Sequence, residues 1–369
     1  MPSSSVIQKF LDTPHMQRLK GLKQLGTADY VFINTNHTRF EHSLGVAELG
    51  RTLVSKIARA QPCLLCTPSD KLCVELGALM HDIGHGPFSH HYERFVDEQR
   101  KLSTPPPDHI DLPPIPRNWC HEDASLMMVD AVLFHLGYTI NLDQLDEPLQ
   151  TVRCNIEPLL AEDGTALTNR DFVFVKEVIV GQPIDQIEAK LGPGFHGRPR
   201  DHQEWLYDIV ANRRHGLDVD KIDYFARDQR RALRESGEID KIMIEEAVVA
   251  WAQCPDSVKC FRCADDRPQK HLMICYPKKL ISSCMDFFKT RFTLHSKSEL
   301  LICPLIQSVL TPRYPLQSTS IKQTTPFRLW SVICCAKPTR SSKSISVRSF
   351  QRNQRVQKLN MNGCPLVER

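Results

Sequence analysis

The sequence predicts a mainly α-helical fold with one small β-hairpin, and three observations point there. Apolar residues recur at three- and four-residue steps through much of the first 300 residues. One short stretch, Leu272-Met273-Ile274-Cys275-Tyr276, reads as a strand. The composition then changes sharply near Ser298. The helical pattern therefore belongs to residues 1–297, and residues 298–369 are a different kind of chain.

The elements follow in order. Val46, Leu49, Leu53 and Ile57 form the apolar stripe of a first helix, opened by Arg39-Phe40-Glu41-His42-Ser43. Leu72, Leu76 and Leu79 mark a second, which ends at the doublet His81-Asp82. Six prolines between 103 and 116 make that segment a loop. A third stripe, Leu126, Val129, Leu133 and Leu136, stops at Gly137, a residue suited to a helix end. A fourth, Leu206, Ile209 and Val210, precedes Asn212-Arg213-Arg214-His215-Gly216. On a helix, Asp220, Tyr224 and Asp228 stand at i, i+4 and i+8 and share one face. The strand at 272–276 is expected to pair with Val258–Arg262 across a polar loop. No internal repeat is visible.

Composition narrows the class. The hydrophobic fraction of 41% and charged fraction of 24% are those of an ordinary globular protein. No apolar run reaches the length needed to cross a bilayer, and no signal peptide is visible, so no membrane partner is expected. The 14 cysteines form no compact disulfide framework, which suits a reducing compartment, cytosolic or nuclear. The net charge of +4 is unevenly spread. Residues 301–369 hold 11 Lys and Arg against one acidic residue, leaving the first 300 with a balance of −6.

Chemistry concentrates in Met80-His81-Asp82-Ile83-Gly84-His85-Gly86-Pro87-Phe88-Ser89-His90. The doublet offers one imidazole nitrogen and one carboxylate oxygen to the same region. The glycines after it are expected to turn the backbone and bring His85 and His90 back towards it. A lone His-Asp pair is usually surface accident, but three histidines and an aspartate within ten residues are hard to dismiss. His42 upstream and Asp220 downstream would complete a ligand set, although a histidine at a helix start and a charged helix face are usually only solvated surface.

These stretches resemble the HD superfamily of metal-dependent phosphohydrolases, whose ligand order is His…His-Asp…Asp. The wording of residues 39–46, 81–90 and 218–228 is narrower. It is similar to the vertebrate SAM-and-HD-domain deoxynucleoside triphosphate triphosphohydrolases, with bacterial dGTP triphosphohydrolases as more distant relatives. The match runs from about Asp12 to Lys297. The resemblance implies an HD phosphohydrolase fold and a reaction turning dNTP and water into deoxynucleoside and triphosphate. It implies His42, His81, Asp82 and Asp220 as ligands of one divalent metal (Fe, Mn or Zn), with Mg arriving on the substrate phosphates. His85, His90 and His121 would be the active-site histidines, with His90 the proton donor to the departing 5′-oxygen or, on a blander reading, all three merely orienting the ligands.

The resemblance further implies Arg39, Lys221 and Arg291 as phosphate contacts. Gln24, Leu25, Tyr224 and Asp228 would lie near the sugar, and His295 near the substrate. Asp12, Gln17 and Lys20 match part of a guanine-nucleotide regulatory site, with Lys20 standing where the family has arginine. Lys279 matches a phosphate contact of a second regulatory nucleotide. GTP and dNTP binding there would drive a homotetramer, and the biological role implied is limiting the dNTP pool against viruses, in the nucleus and also the cytoplasm.

The sequence also departs from that pattern. No SAM domain is expected ahead of Asp12, and the likeness ends after Thr293-Leu294-His295-Ser296-Lys297, where the family continues into a C-terminal lobe. A silent truncated form that binds nucleotide or nucleic acid is therefore an alternative, and an HD phosphodiesterase or nuclease is another. The basic stretch from Lys337 to Lys358 could bind single-stranded nucleic acid or direct nuclear import, although a disordered basic tail is the simpler expectation. Cys63-x-x-Cys66 and Cys260-x-x-Cys263 suggest zinc by spacing, yet stand far apart, so free thiols are expected.

Overall fold

The computed structural model describes residues 5–93, 96, 120–198, 203–214, 216–233, 239–253 and 270–276. The Pro-rich segment 103–116, the Cys260–Cys263 pair, the stretch Val258–Arg262 and the tail 298–369 lie outside the described residues. Among the described residues the architecture is helical with two small antiparallel pairs. Two short helices, α1 (Ser5–Leu11) and α2 (Pro14–Gln17), lead through a 3-10 turn at Arg18–Gly21 to the long α3 (Arg39–Ala60). Then come α4 (Pro68–Met80), α5 (His121–Leu136), α6 (Asn169–Val180), α7 (Asp185–Leu191), α8 (Val219–Asp228) and α9 (Ile239–Glu246). No helix among the described residues is long and apolar enough to cross a membrane.

The helix starts are written in the sequence as capping residues. Thr38 accepts the Glu41 amide at the head of α3, and Asp218 accepts the Lys221 amide at the head of α8. Thr67 with Asp70 and Thr168 with Asp171 close reciprocal capping boxes on α4 and α6. At the other end of α5, Gly137 adopts the left-handed conformation at φ 96°, so the expected helix stop is where the chain turns.

Packing follows the apolar stripes. Val46, Leu53 and Ile57 are fully buried where α3 lies along α4, and Leu76 and Leu79 bury the facing side. On its opposite side α4 packs against α6, a helix the stripes do not single out. Phe172, Val173, Phe174, Val175 and Val178 are all 0% exposed and Asn169, Asp171 and Glu177 are buried as well, so α6 is enclosed on nearly every side and its apolar run at 172–175 shows no three- or four-residue step. α8 crosses α3 on the far side and delivers Asp220 and Asp223 to His42.

Three expectations are corrected. The strand at 270–275 exists, but its antiparallel partner is Val248–Gln253, with Val248 opposite Cys275 and Gln253 opposite Lys270. The earlier segment wins because Val249, Leu272 and Ile274 enter the core together. The stripe Leu206, Ile209, Val210 is buried, yet Leu206 lies in a 3-10 helix at Glu204–Asp208 and Ile209 and Val210 follow it, so no α-helix forms. The left-handed backbone in the turns after the doublet falls not on Gly84 or Gly86 but on Phe88 and Ser89, at φ 63° and 57°. Each left-handed non-glycine residue costs roughly 1–2 kcal/mol. The Ser89 hydroxyl answers that cost by donating to Lys23 O at 2.7 Å and accepting Arg39 Nε at 2.8 Å. Gly84 serves close approach instead, since a Cβ there would overlap Ser125 N and His121 O on α5.

Candidate metal centre and histidine cluster

His81 is the residue that follows α4, and Asp82 continues into the turn. His42 sits one turn into α3, and Asp220 is the second residue of α8, in its first turn. Three elements thus aim four side chains at one point. His42 Nε2 lies 3.0 Å from Asp220 Oδ1 and 3.5 Å from Asp82 Oδ2. His81 Nε2 lies 3.5 Å from Asp82 Oδ1 and 3.5 Å from Asp220 Oδ1.

The outer nitrogens of both rings are occupied. His42 Nδ1 is 2.7 Å from Asp223 Oδ2, and His81 Nδ1 is 2.8 Å from the Ala78 carbonyl. Their Nε2 atoms are buried and make no hydrogen bond. A buried ring nitrogen without a partner costs about 1–3 kcal/mol unless something else satisfies it. Two such nitrogens converging with two carboxylates fit a divalent cation of the N/O-binding class.

Electrostatics agree. Burial opposes charge on His42, but Asp220 and Asp223 outweigh it and raise its pKa to about 9. Burial likewise opposes charge on His81, and Asp82 and Asp220 reverse the balance upward. Asp82 is pulled well below the carboxylate range despite burial by Arg39, His81 and His85, and Asp220 by His42 and His81. The centre draws positive charge in whatever form is supplied.

A second cluster adjoins it. His85 Nε2 is 3.2 Å from Asp82 Oδ1, and the His85 ring stacks on His121 at 3.9 Å between centroids. His90 stands edge-on to both, at 4.9 and 5.5 Å. Glu93 ties the group together. Its carboxylate lies 2.5 Å from His121 Nδ1 and 3.2 Å from His90 Nδ1, and accepts the His121 amide at 2.8 Å. Burial pushes the His85 pKa well down, so that ring is held neutral. His121 is raised against its own burial by the hydrogen bond to Glu93 and by Glu122, so a neutral and a chargeable imidazole are stacked face to face.

The remaining expected residues distribute as follows. Arg39 is 1% exposed and paired with Asp82, so its guanidinium is engaged at the metal centre. Lys221 Nζ lies 2.7 Å from Asp218 Oδ2. Gln24, Tyr224 and Asp228 are buried, Leu25 is half-buried, and Asp228 Oδ1 is 3.2 Å from His37 Nε2. Asp12 accepts from Gln8, Gln17 donates to Leu11 O, and Lys20 Nζ sits 4.7 Å over the Phe40 ring. Between them Arg18 donates to the carbonyls of Ile83 and His85, touching the turn after His81-Asp82 directly. Lys279, Arg291 and His295 lie outside the described residues.

Sequence reasoning passes over Asp223, Glu93, Ser125 and Arg18. Asp223 carries a faint signal, three residues after Asp220 on the same helix. Ser125 bonds Gly84 N and His81 O across 41 and 44 residues, a relation with no signal in the sequence.

Comparison with known proteins gives the geometry its kin. Residues 39–159 match the HD domain family model. The Mus musculus deoxynucleoside triphosphate triphosphohydrolase SAMHD1 is 34% identical over 312 residues, covering 83% of this chain and 41% of that protein. The Homo sapiens SAMHD1 is 35% identical over 294 residues, 79% of this chain and 39% of that protein. A Dictyostelium discoideum SAMHD1 homolog is 30% identical over 290 residues, 78% of this chain and 42% of its own length. The chain spans about two fifths of the length of the curated relatives it matches. With its buried His42 and His81-Asp82 and its half-buried Asp220 gathered at one point, the chain is an HD-domain, SAMHD1-like protein.

Proposed function

We propose that this chain hydrolyses deoxynucleoside triphosphates to deoxynucleoside and inorganic triphosphate. The observation that carries the reading is the convergence of two unpartnered imidazole nitrogens and two carboxylates beside a stacked histidine pair. A divalent cation held by His42, His81, Asp82 and Asp220 would supply Lewis acidity towards a phosphate oxygen and acidify a water.

The rest of the chemistry falls to the chain's own side chains. Water oxygen bonds to the α-phosphorus while the bond from that phosphorus to the 5′-oxygen breaks, and the departing oxygen needs a proton. His90 is the half-exposed member of the cluster, with Nδ1 on Glu93, and serves as that donor. His121, kept chargeable by Glu93, adds positive charge beside the transferring phosphoryl group, and neutral His85 keeps Asp82 oriented. Tyr224, Asp228, Gln24 and Leu25 hold the sugar, with Lys221 and Arg291 on the phosphates. Arg39 acts there through Asp82 rather than as a free phosphate clamp. The same reading places guanine nucleotide at Asp12, Gln17 and Lys20 as regulator, and an assembled, nuclear form as the working state.

The test incubates purified chain with dATP, GTP and a Mg/Mn/Fe mixture and looks for inorganic triphosphate, with a His81→Ala, Asp82→Ala control. Triphosphate from the unmutated chain alone supports the reading. A folded, metal-loaded chain that yields none is instead a nucleotide-binding protein without turnover. Nucleoside monophosphates released from a polynucleotide would mean a nuclease using the same centre.

A further inference from the structure

We propose that Asp223, Arg227 and Gly45 are a built support for His42 that fixes which imidazole nitrogen faces the metal centre, making Asp223 a positioning residue for metal binding. The inference rests on the metal-centre reading above and assigns work to three residues outside the ligand set.

A neutral imidazole carries one proton, and its location decides which nitrogen has a lone pair to give. Asp223 Oδ2 lies 2.7 Å from His42 Nδ1, with the two side chains 5% and 0% exposed. A buried carboxylate there accepts a hydrogen bond from Nδ1–H, which keeps the proton on Nδ1 and leaves Nε2 bare, towards Asp220 and Asp82. The opposite tautomer would set a lone pair against the Asp223 oxygens and aim an N–H at the cation.

Asp223 is itself held. Arg227, four residues along α8, reaches back with Nε 2.9 Å from Oδ2 and Nη2 2.8 Å from Oδ1. The same Nη2 donates to Glu41 O at 3.1 Å, the carbonyl just before His42 in α3. One guanidinium therefore clamps both the carboxylate and the backbone that carries the ligand. Gly45 makes the space. A Cβ at 45 would overlap Asp223 Oδ1 and Arg227 Nη2, so no other residue leaves room for the pair. A mid-helix glycine costs about 1 kcal/mol relative to alanine, a cost α3 carries at the position facing this clamp.

The two histidine ligands are thus supported differently. His81 Nδ1 is satisfied within its own helix, by Ala78 O. His42 depends on a contact between α3 and α8, and α8 also supplies Asp220. Ligand and support arrive on one helix, so the docking of α8 and the tautomer of His42 are a single event.

The experiment uses the full chain, measuring Mn²⁺ affinity by equilibrium dialysis and the His42 tautomer by ¹⁵N NMR of the chain loaded with diamagnetic Zn²⁺. Asp223→Asn is expected to weaken Mn²⁺ binding about 10–100-fold, the usual effect of losing a ligand's carboxylate partner. Arg227→Lys is expected to weaken it less. Asp171→Asn, which disturbs a buried ion pair elsewhere, should lower stability and leave Mn²⁺ affinity unchanged. In the unmutated chain His42 should show a proton on Nδ1 with Nε2 as the ligand. A folded Asp223→Asn protein with unchanged affinity overturns the inference and leaves the metal centre standing. If Asp223→Asn does not fold, the tautomer of the unmutated chain decides, and a proton on Nε2 overturns the inference. Absence of Mn²⁺ binding by the unmutated chain overturns the metal-centre reading and this inference with it.

Discussion

Ser125 joins two parts of the site that the chain keeps far apart, and its removal should be costly. It is 0% exposed, accepts the Gly84 amide at 2.9 Å and donates to the His81 carbonyl at 2.7 Å. Ser125→Ala deletes both bonds and leaves two buried backbone groups without the partner they had. Each such group costs about 1–3 kcal/mol, and alanine returns only about 0.5 kcal/mol of helix propensity. Gly84 packs backbone to backbone against α5, so the site is too tight to admit a replacement water. The expected loss is roughly 2–4 kcal/mol. It can be measured by equilibrium urea unfolding of metal-free protein, followed through the fluorescence of buried Trp205. A loss below about 0.5 kcal/mol, the range of ordinary surface changes, would refute the claim that this serine staples the turn after His81-Asp82 to α5.

Three further outcomes are expected. The first concerns pH and metal. In metal-free protein the stabilisation from charged His42 is fully present below the unfolded imidazole value near 6.5. It is lost as pH rises through about 9. Cation binding must displace that proton, so Mn²⁺ affinity should rise about tenfold per pH unit from 7 towards 9, and a flat profile in dialysis would contradict the linkage. The second concerns Arg198, which pairs with Asp70 and lies 2.6 Å from Asp171. Arg198→Met strands two buried carboxylates and should cost roughly 3–5 kcal/mol in urea unfolding, with a loss under about 1 kcal/mol counting against the network. The third concerns Glu93, whose hydrogen bond raises His121 against burial. Glu93→Gln should lower the His121 pKa and move the alkaline limb of the triphosphate-release profile to lower pH, and an unmoved limb would show that Glu93 does not set it.

Much of the local structure was legible because it is encoded locally. The stripes of α3, α4 and α5 follow from 3.6-residue periodicity, and the stop at Gly137 from the left-handed backbone a glycine adopts cheaply. The helical face carrying Asp220, Tyr224 and Asp228 was legible for the same reason. α6 was not, because a helix enclosed on nearly every side buries polar and apolar residues alike, and its run at 172–175 shows no three- or four-residue step. The hairpin partner was missed because choosing between residues 248–253 and 258–262 depends on which residues meet the core, a non-local fact.

The sequence by itself determined the residue types at the centre, their order along the chain and the capping residues that start the helices presenting them. It could pick out His81-Asp82 because a doublet among glycines and histidines is unusual at short range. Only the tertiary structure decided that Asp223 faces His42 across 181 residues, that Glu93 binds His90 and His121 together, and that Arg39 turns inward to Asp82. It also decided that Gly84 is needed for contact with α5 while Phe88 and Ser89 take the left-handed backbone. The physical reason is common to all of these. Ligand identity is carried by single side chains, whereas tautomer, charge state and clearance are set by whatever helix packing brings within 3 Å, and packing pairs residues without regard to their distance along the chain.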